Sequence, residues 1–136
     1  YIAGQQPGTD VSNSFYNPGS TVTPLYVRNF SGWYVNYVQN VGLSSQFLLK
    51  YDVFDPNTDV GAAEIGAAGS NHAVGDIQFS TLGLGWIYHW DANVKFTAYY
   101  DFVTNEQVNA AATGALKPFV DDVKDNVFTL RMQYKF

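Results

Sequence analysis

Cysteine is absent from this chain, charge is scarce, and no apolar run reaches the length of a membrane helix. Each absence excludes something. Without cysteine there are no disulfides, no thiolate metal sites and no cysteine nucleophile. Charged side chains make up 14% of the residues, against roughly a quarter in an ordinary soluble domain. A spanning helix needs about 18 or more consecutive apolar residues, and the sequence holds no such run. The net charge of −5 argues against a nucleic-acid surface. A Ser-His-Asp set, a dry carboxylate pair and a phosphate-cradling loop ahead of a helix are all missing, so no catalysis is expected. Gly83-Leu84-Gly85 is no dinucleotide fingerprint, because alternation continues after it and no helix follows.

Aromatic residues are abundant, at 17%, with ten Tyr, ten Phe and three Trp. The clearest pattern closes the chain. From Asn126 to Phe136 the residues alternate, with Phe128, Leu130, Met132, Tyr134 and Phe136 on one parity and Val127, Thr129, Arg131, Gln133 and Lys135 on the other. A period of two belongs to a strand whose faces meet different solvents. The same alternation recurs over Ser31 to Gln39, Gln46 to Phe54, Ile77 to Trp90 and Val94 to Val103. In the third of these the apolar parity changes near Ser80 and Thr81, which predicts a bulge or the start of an extramembrane extension.

Short and long connections alternate between these strands. Tight turns are expected at 40–45 and 91–93, and long loops at 4–30, with a short extended piece over Pro24 to Phe30, and at 55–76 and 104–125, where Gly, Pro, Asn and Ala collect. Outer-membrane barrels distribute periplasmic turns and extracellular loops in this way, and only helices and closed barrels satisfy the backbone in lipid. The expected fold is therefore all-β, an antiparallel transmembrane barrel, with residues 1–136 as one portion of it. Five strands are too few to close a barrel, for which about eight is the smallest count. With Tyr1 in place of an initiator Met and no signal peptide, the chain reads as the carboxy-terminal piece of a longer protein. Assembly of several copies, or another chain, is the alternative.

With the carboxy-terminus on the periplasmic side, the aromatics form two girdles. Trp33, Tyr51, Tyr100, Phe102 and Phe128 fall toward the loops, while Tyr37, Phe47, Tyr88, Phe96, Tyr134 and Phe136 fall toward the turns; Trp86 shares the same outward row. The opposite row would face the lumen, with Lys50, Asp52, Lys95, Tyr99, Asp101, Arg131, Gln133 and Lys135 as the candidates for selecting solutes. Four cations against two acids make this wall net positive and suggest a ladder that favours anions. The plain alternative is that these side chains only hydrogen-bond across a wet wall. Small inward residues at Gly83 and Gly85 leave lumen space or admit a loop folded inward.

Several stretches carry a resemblance. LLKYDVFDPNTDVGAAEIG, FSTLGLGWIYHWDANVKFTAYYDF and DNVFTLRMQYKF, with YVRNFSGWYV more loosely, resemble the phosphate-selective porin O and P family in its Bacteroidetes versions. The likeness covers most of the chain from Leu25 onward. It implies a sixteen-stranded, trimeric, water-filled channel in the bacterial outer membrane. Lipid and small anions or hydrophilic solutes would be its partners, with no cofactor. The family's anion-binding lysine cluster matches no position here, so phosphate selectivity is not implied. The expected function is a passive porin for small hydrophilic solutes or ions; a structural or docking barrel within a larger envelope complex is the alternative.

Three further groups were weighed. Asp55, Asn57 and Asp59 have a D-x-N-x-D spacing that fits three oxygen donors on calcium, yet the rest of a calcium loop is missing. Asx turns beside Pro56 explain the same residues without metal. His72 falls in a loop expected to be mobile, and His89 at a strand end beside Trp90, where interfacial packing is its expected role.

Overall fold

The computed structural model describes residues 1–9 and 25–136. Six antiparallel strands follow one another as a meander: β1 (Ile2–Thr9), β2 (Leu25–Val41), β3 (Ser45–Asp55), β4 (Phe79–His89), β5 (Val94–Asn105) and β6 (Val127–Tyr134). Their order in the sheet is the order of the chain. The two short connections, after β2 and after β4, can join only antiparallel neighbours, since parallel ones need a crossover.

One expected boundary is corrected at the start of the chain. The loop expected over 4–30 is strand at both of its ends, through Thr9 and again from Leu25; the part over 10–24, with its Asn17-Pro18-Gly19, lies outside the described residues. Gly4 and Pro7 were read as turn formers. β1 pairs only with β2, in the register Ile2↔Gly32 to Thr9↔Leu25. An edge strand tolerates proline, because a residue without an N–H interrupts one ladder at most. The described strands accordingly number six rather than five.

The tight turns fall where turn chemistry places them. β2 and β3 are joined by Gly42 to Ser44, and β4 and β5 by Trp90 to Asn93. At the second, Asp91 Oδ1 accepts from the backbone N–H groups of Asn93 at 2.7 Å and Val94 at 2.8 Å, an Asx turn that closes the hairpin.

By contacts the chain divides into two compact units. The first comprises Tyr1–Trp33, Val53–Phe79 and Thr104–Val123. Its centre is a small apolar core of Ile65, Ile77, Val108 and Ala112, with Val60, Val74, Phe79, Leu116 and Phe119 packed around it. Both long loops therefore fold. They contain short 3-10 helices at Val74–Asp76 and Gly114–Val120, and Phe79 meets Phe119 edge to face at 6.3 Å. Backbone bonds stitch the two segments together: Asn109 N–H donates to Ile65 C=O at 3.0 Å, and Glu106 N–H to Gln78 C=O at 2.9 Å. Gly66, at φ +80°, sits where a Cβ would lie 2.6 Å from that of Ala112.

This core also explains the parity change near Ser80. Ile77 is not part of β4; it follows the 3-10 turn and is fully buried in the loop core, with Phe79 packed against it. The strand starts at Phe79, and the two residues that broke the alternation answer to a different apolar environment from the rest of β4.

The second unit comprises Tyr34–Asp52, Ser80–Val103 and Lys124–Phe136. It holds most of the alternating sequence, and none of the core residues just named belongs to it.

Candidate functional site

The register of β5 on β6 decides which side chains share a face. Phe96↔Met132, Ala98↔Leu130 and Tyr100↔Phe128 are directly opposed, and between them alternate Lys95↔Gln133, Thr97↔Arg131 and Tyr99↔Thr129. Opposed residues project to the same side of a sheet. Apolar meets apolar and polar meets polar at each of these steps, so over them the two parities form two faces; the mixed pair is Asp101↔Val127 at the loop end. A register slip of one residue would mix them.

The apolar row is open to the surroundings, although on β6 the polar row is exposed as well, Thr129 excepted. On the apolar face Leu82, Trp86, Tyr88, Phe96, Phe128, Leu130, Met132 and Tyr134 are all exposed, Leu130 to 71%. Leu49 and Tyr51 on β3 are exposed as well, with Phe47 half-buried. Tyr100 is half-buried, and its ring meets that of Phe102 at a 57° tilt with centres 4.6 Å apart. At the chain end Tyr134 and Phe136 form an edge-to-face pair at 5.1 Å, and Tyr88 pairs with Trp90 at 6.3 Å. In β2 the alternation does not show as exposure: Trp33 and Tyr37 are exposed, and so are Tyr34 and Val38 on the other parity.

On the polar face the candidates separate into two groups. Lys50 Nζ lies 2.6 Å from Asp52 Oδ1, two residues along the same row of β3. Tyr99 and Asp101 reach the same place from β5, lying over the two glycines of β4. A Cβ built on Gly83 would come within 2.6 Å of Tyr99 Cζ and 2.9 Å of Asp101 Oδ1. One built on Gly85 would come within 2.8 Å of Tyr99 Cε2. Space expected to stay open over these glycines is filled by the Tyr99 ring. Lys95, Gln133 and Lys135 gather instead at the turn end, around a pocket of about 370 Å³ that His89 and Asp91 also line. Arg131, opposite Thr97, stands between the two groups in register.

Asp55, Asn57 and Asp59 do not point at one centre. Asp55 Oδ1 accepts from Asn57 N–H at 2.9 Å, Asn57 Nδ2 donates to Asp76 at 2.9 Å, and Asp59 Oδ2 accepts from Asn29 Nδ2 at 2.7 Å. The first of these is the Asx turn that the proline-flanked sequence allows.

The sequence reading missed a polar centre in the first unit. Asp76 is fully buried and holds Arg28 Nε at 3.0 Å, Asn57 Nδ2 at 2.9 Å and the Ala73 N–H at 3.1 Å. His72 Nδ1 lies 3.7 Å from Asp76 Oδ2, the oxygen that accepts from Ala73. His72 was expected in a mobile loop; its side chain is 28% exposed and sits at this centre. Asn105, likewise buried, donates its N–H to Asp122 Oδ1 at 3.1 Å and accepts from Val123 N–H at 2.7 Å, closing the loop that follows β5. Nothing in the local spacing of the loop acids marks Asp76 out.

Comparison with protein-family models, with characterised proteins and with solved structures finds no match for this chain.

Proposed function

We propose that this chain forms part of the wall of a β-barrel in the bacterial outer membrane, and that the barrel is a passive, water-filled porin for small hydrophilic solutes or ions. The observation that carries the reading is the β5–β6 register, which lines apolar side chains up on one face and polar ones on the other. The exposed aromatic and aliphatic row on that apolar face is surface that water disfavours and hydrocarbon accepts. Further strands, from the same chain or from other copies, would complete the wall, since six do not close one. The resemblance to the phosphate-selective porin O and P family supports the same reading and brings a trimer with it. Any anion preference would rest on Arg131, Lys95 and Lys135, because Lys50 is held by Asp52.

The test is reconstitution of the natural full-length protein in planar bilayers. Ohmic conductance is expected. A protein that stays in solution without detergent and never conducts would falsify the porin.

The folded loop core favours a second reading, a docking barrel in a larger envelope assembly. Segments 55–76 and 104–125 are shaped by buried Ile65, Ile77 and Val108 rather than left as loose tethers, and a fixed surface is what a partner needs. Stable co-purification with another envelope protein, without conductance, would favour it.

A further inference from the structure

Lys50 and Asp52 on β3 are within electrostatic reach of Tyr99 and Asp101 on β5, and the latter two lie over the two glycines of β4 between them. Two features make this more than polar residues sharing a wet wall. The first is the seat. Gly83 and Gly85 are both buried although they lie in the middle of a strand, and the ring of Tyr99 occupies the room that their missing side chains leave. Glycine inside a strand weakens it and marks a close approach by another group. Here the approaching group is Tyr99, whose hydroxyl end and the Asp101 carboxylate share the space over Gly83. The ring fills that room, and Asp101, two residues further along the same row, lies beside its hydroxyl end over Gly83.

The second feature is the charge balance. At 2.6 Å the Lys50 ammonium and the Asp52 carboxylate form a contact pair whose fields largely cancel at a distance. Among the described residues no cation stands within ion-pair distance of Asp101. The group as a whole therefore carries one negative charge, on a wall whose other row charges, Arg131, Lys95 and Lys135, are positive and lie toward the turns.

We propose that Tyr99, seated on Gly83 and Gly85, is a positioning residue that fixes Asp101 beside the Lys50–Asp52 pair, and that this cluster attracts small cations at its level of the channel. It opposes the basic residues nearer the turns, and Lys50 is no rung of an anion ladder. The inference rests on the porin reading. It goes further in assigning opposite preferences to two levels of one wall: a fixed carboxylate in a narrow aqueous passage raises the local concentration of counter-ions, as acidic rings do in cation pores.

The experiment is reversal potential under a potassium chloride gradient, in neutral-lipid bilayers, with the natural full-length protein. Asp101→Asn should move the reversal potential toward chloride. The double change Lys50→Gln with Asp52→Asn removes a neutral pair and should leave it within error of wild type, whereas a ladder rung at Lys50 would make the same double change lose chloride preference. Gly85→Ala, which puts a methyl group where Tyr99 lies, should reproduce part of the Asp101→Asn shift with every charge intact. Band shift on unboiled gels confirms that each variant is folded. A conducting wild type whose selectivity ignores Asp101→Asn overturns the cluster and leaves the porin standing; a wild type that does not conduct overturns both.

Discussion

Arg28 and Asp76 form a buried ion pair, Nε to Oδ1 at 3.0 Å, with side chains 5% and 0% exposed. Arg28 is a strand residue of β2, and Asp76 ends a 3-10 turn in the loop between β3 and β4, so the pair ties that loop to the strand. Desolvating two charges is costly, and Asn57 and the Ala73 N–H offset part of that cost with further bonds to the carboxylate.

Removing one partner should therefore be worse than never having had the pair. Asp76→Ala leaves the guanidinium buried without its carboxylate and should cost about 3–5 kcal/mol of local stability. Hydrogen exchange over residues 56–78 measures it. Protection unchanged from wild type in that segment would show that the loop is held by its apolar core alone.

Two glycines with positive φ should respond differently to alanine. At Gly66 the φ of +80° and the Ala112 contact at 2.6 Å act together. Overpacking typically costs about 1–3 kcal/mol, on top of a left-handed backbone penalty of about 1–2 kcal/mol. Gly114, at φ +61°, has open space around its missing Cβ and should show the backbone penalty only. Denaturation midpoints of the two variants should rank Gly66→Ala below Gly114→Ala.

Ile77 separates the loop core from the strand that follows it. As a fully buried member of the first unit's core, it should cost about 2–5 kcal/mol when cut to alanine. Leu82, exposed at 39% on the apolar row of β4, should cost far less in detergent. Equal losses in a thermal melt would mean that Ile77 behaves as an ordinary wall residue.

The two faces of β6 should differ when a charge is added. Leu130→Arg, on the apolar row, should cost about 2–4 kcal/mol if that position sits near the bilayer midplane. Thr129→Arg, next door on the polar row, should be nearly neutral. Folding yield into lipid vesicles against urea compares them, and a Leu130→Arg variant that folds as well as Thr129→Arg contradicts a lipid-facing row.

Most of the strands could be read from alternation, because a strand's two faces are written in adjacent residues. The turn at 91–93 was legible for a similar reason: Asp91 makes its bonds to residues two and three positions on. β1 was missed because Gly4, Pro7 and Gly8 look like a loop when judged locally, and only the backbone ladder to β2 makes them a strand. Tyr99 and Asp101 were singled out for their parity, yet the seat on Gly83 and Gly85 needs the register between two strands, which alternation alone does not supply.

By itself, then, the sequence determined the period, the polarity of each row and the chemistry of the short turns, all set by neighbours within a few residues. Tertiary structure decided that the long loops have a core, that Asp76 rather than the D-x-N-x-D acids is the polar centre, and that Lys50 is already paired. The physical reason is the range of the forces involved. Alternation records which solvent each side chain meets, whereas a buried charge or a filled cleft depends on what a distant part of the chain brings to it.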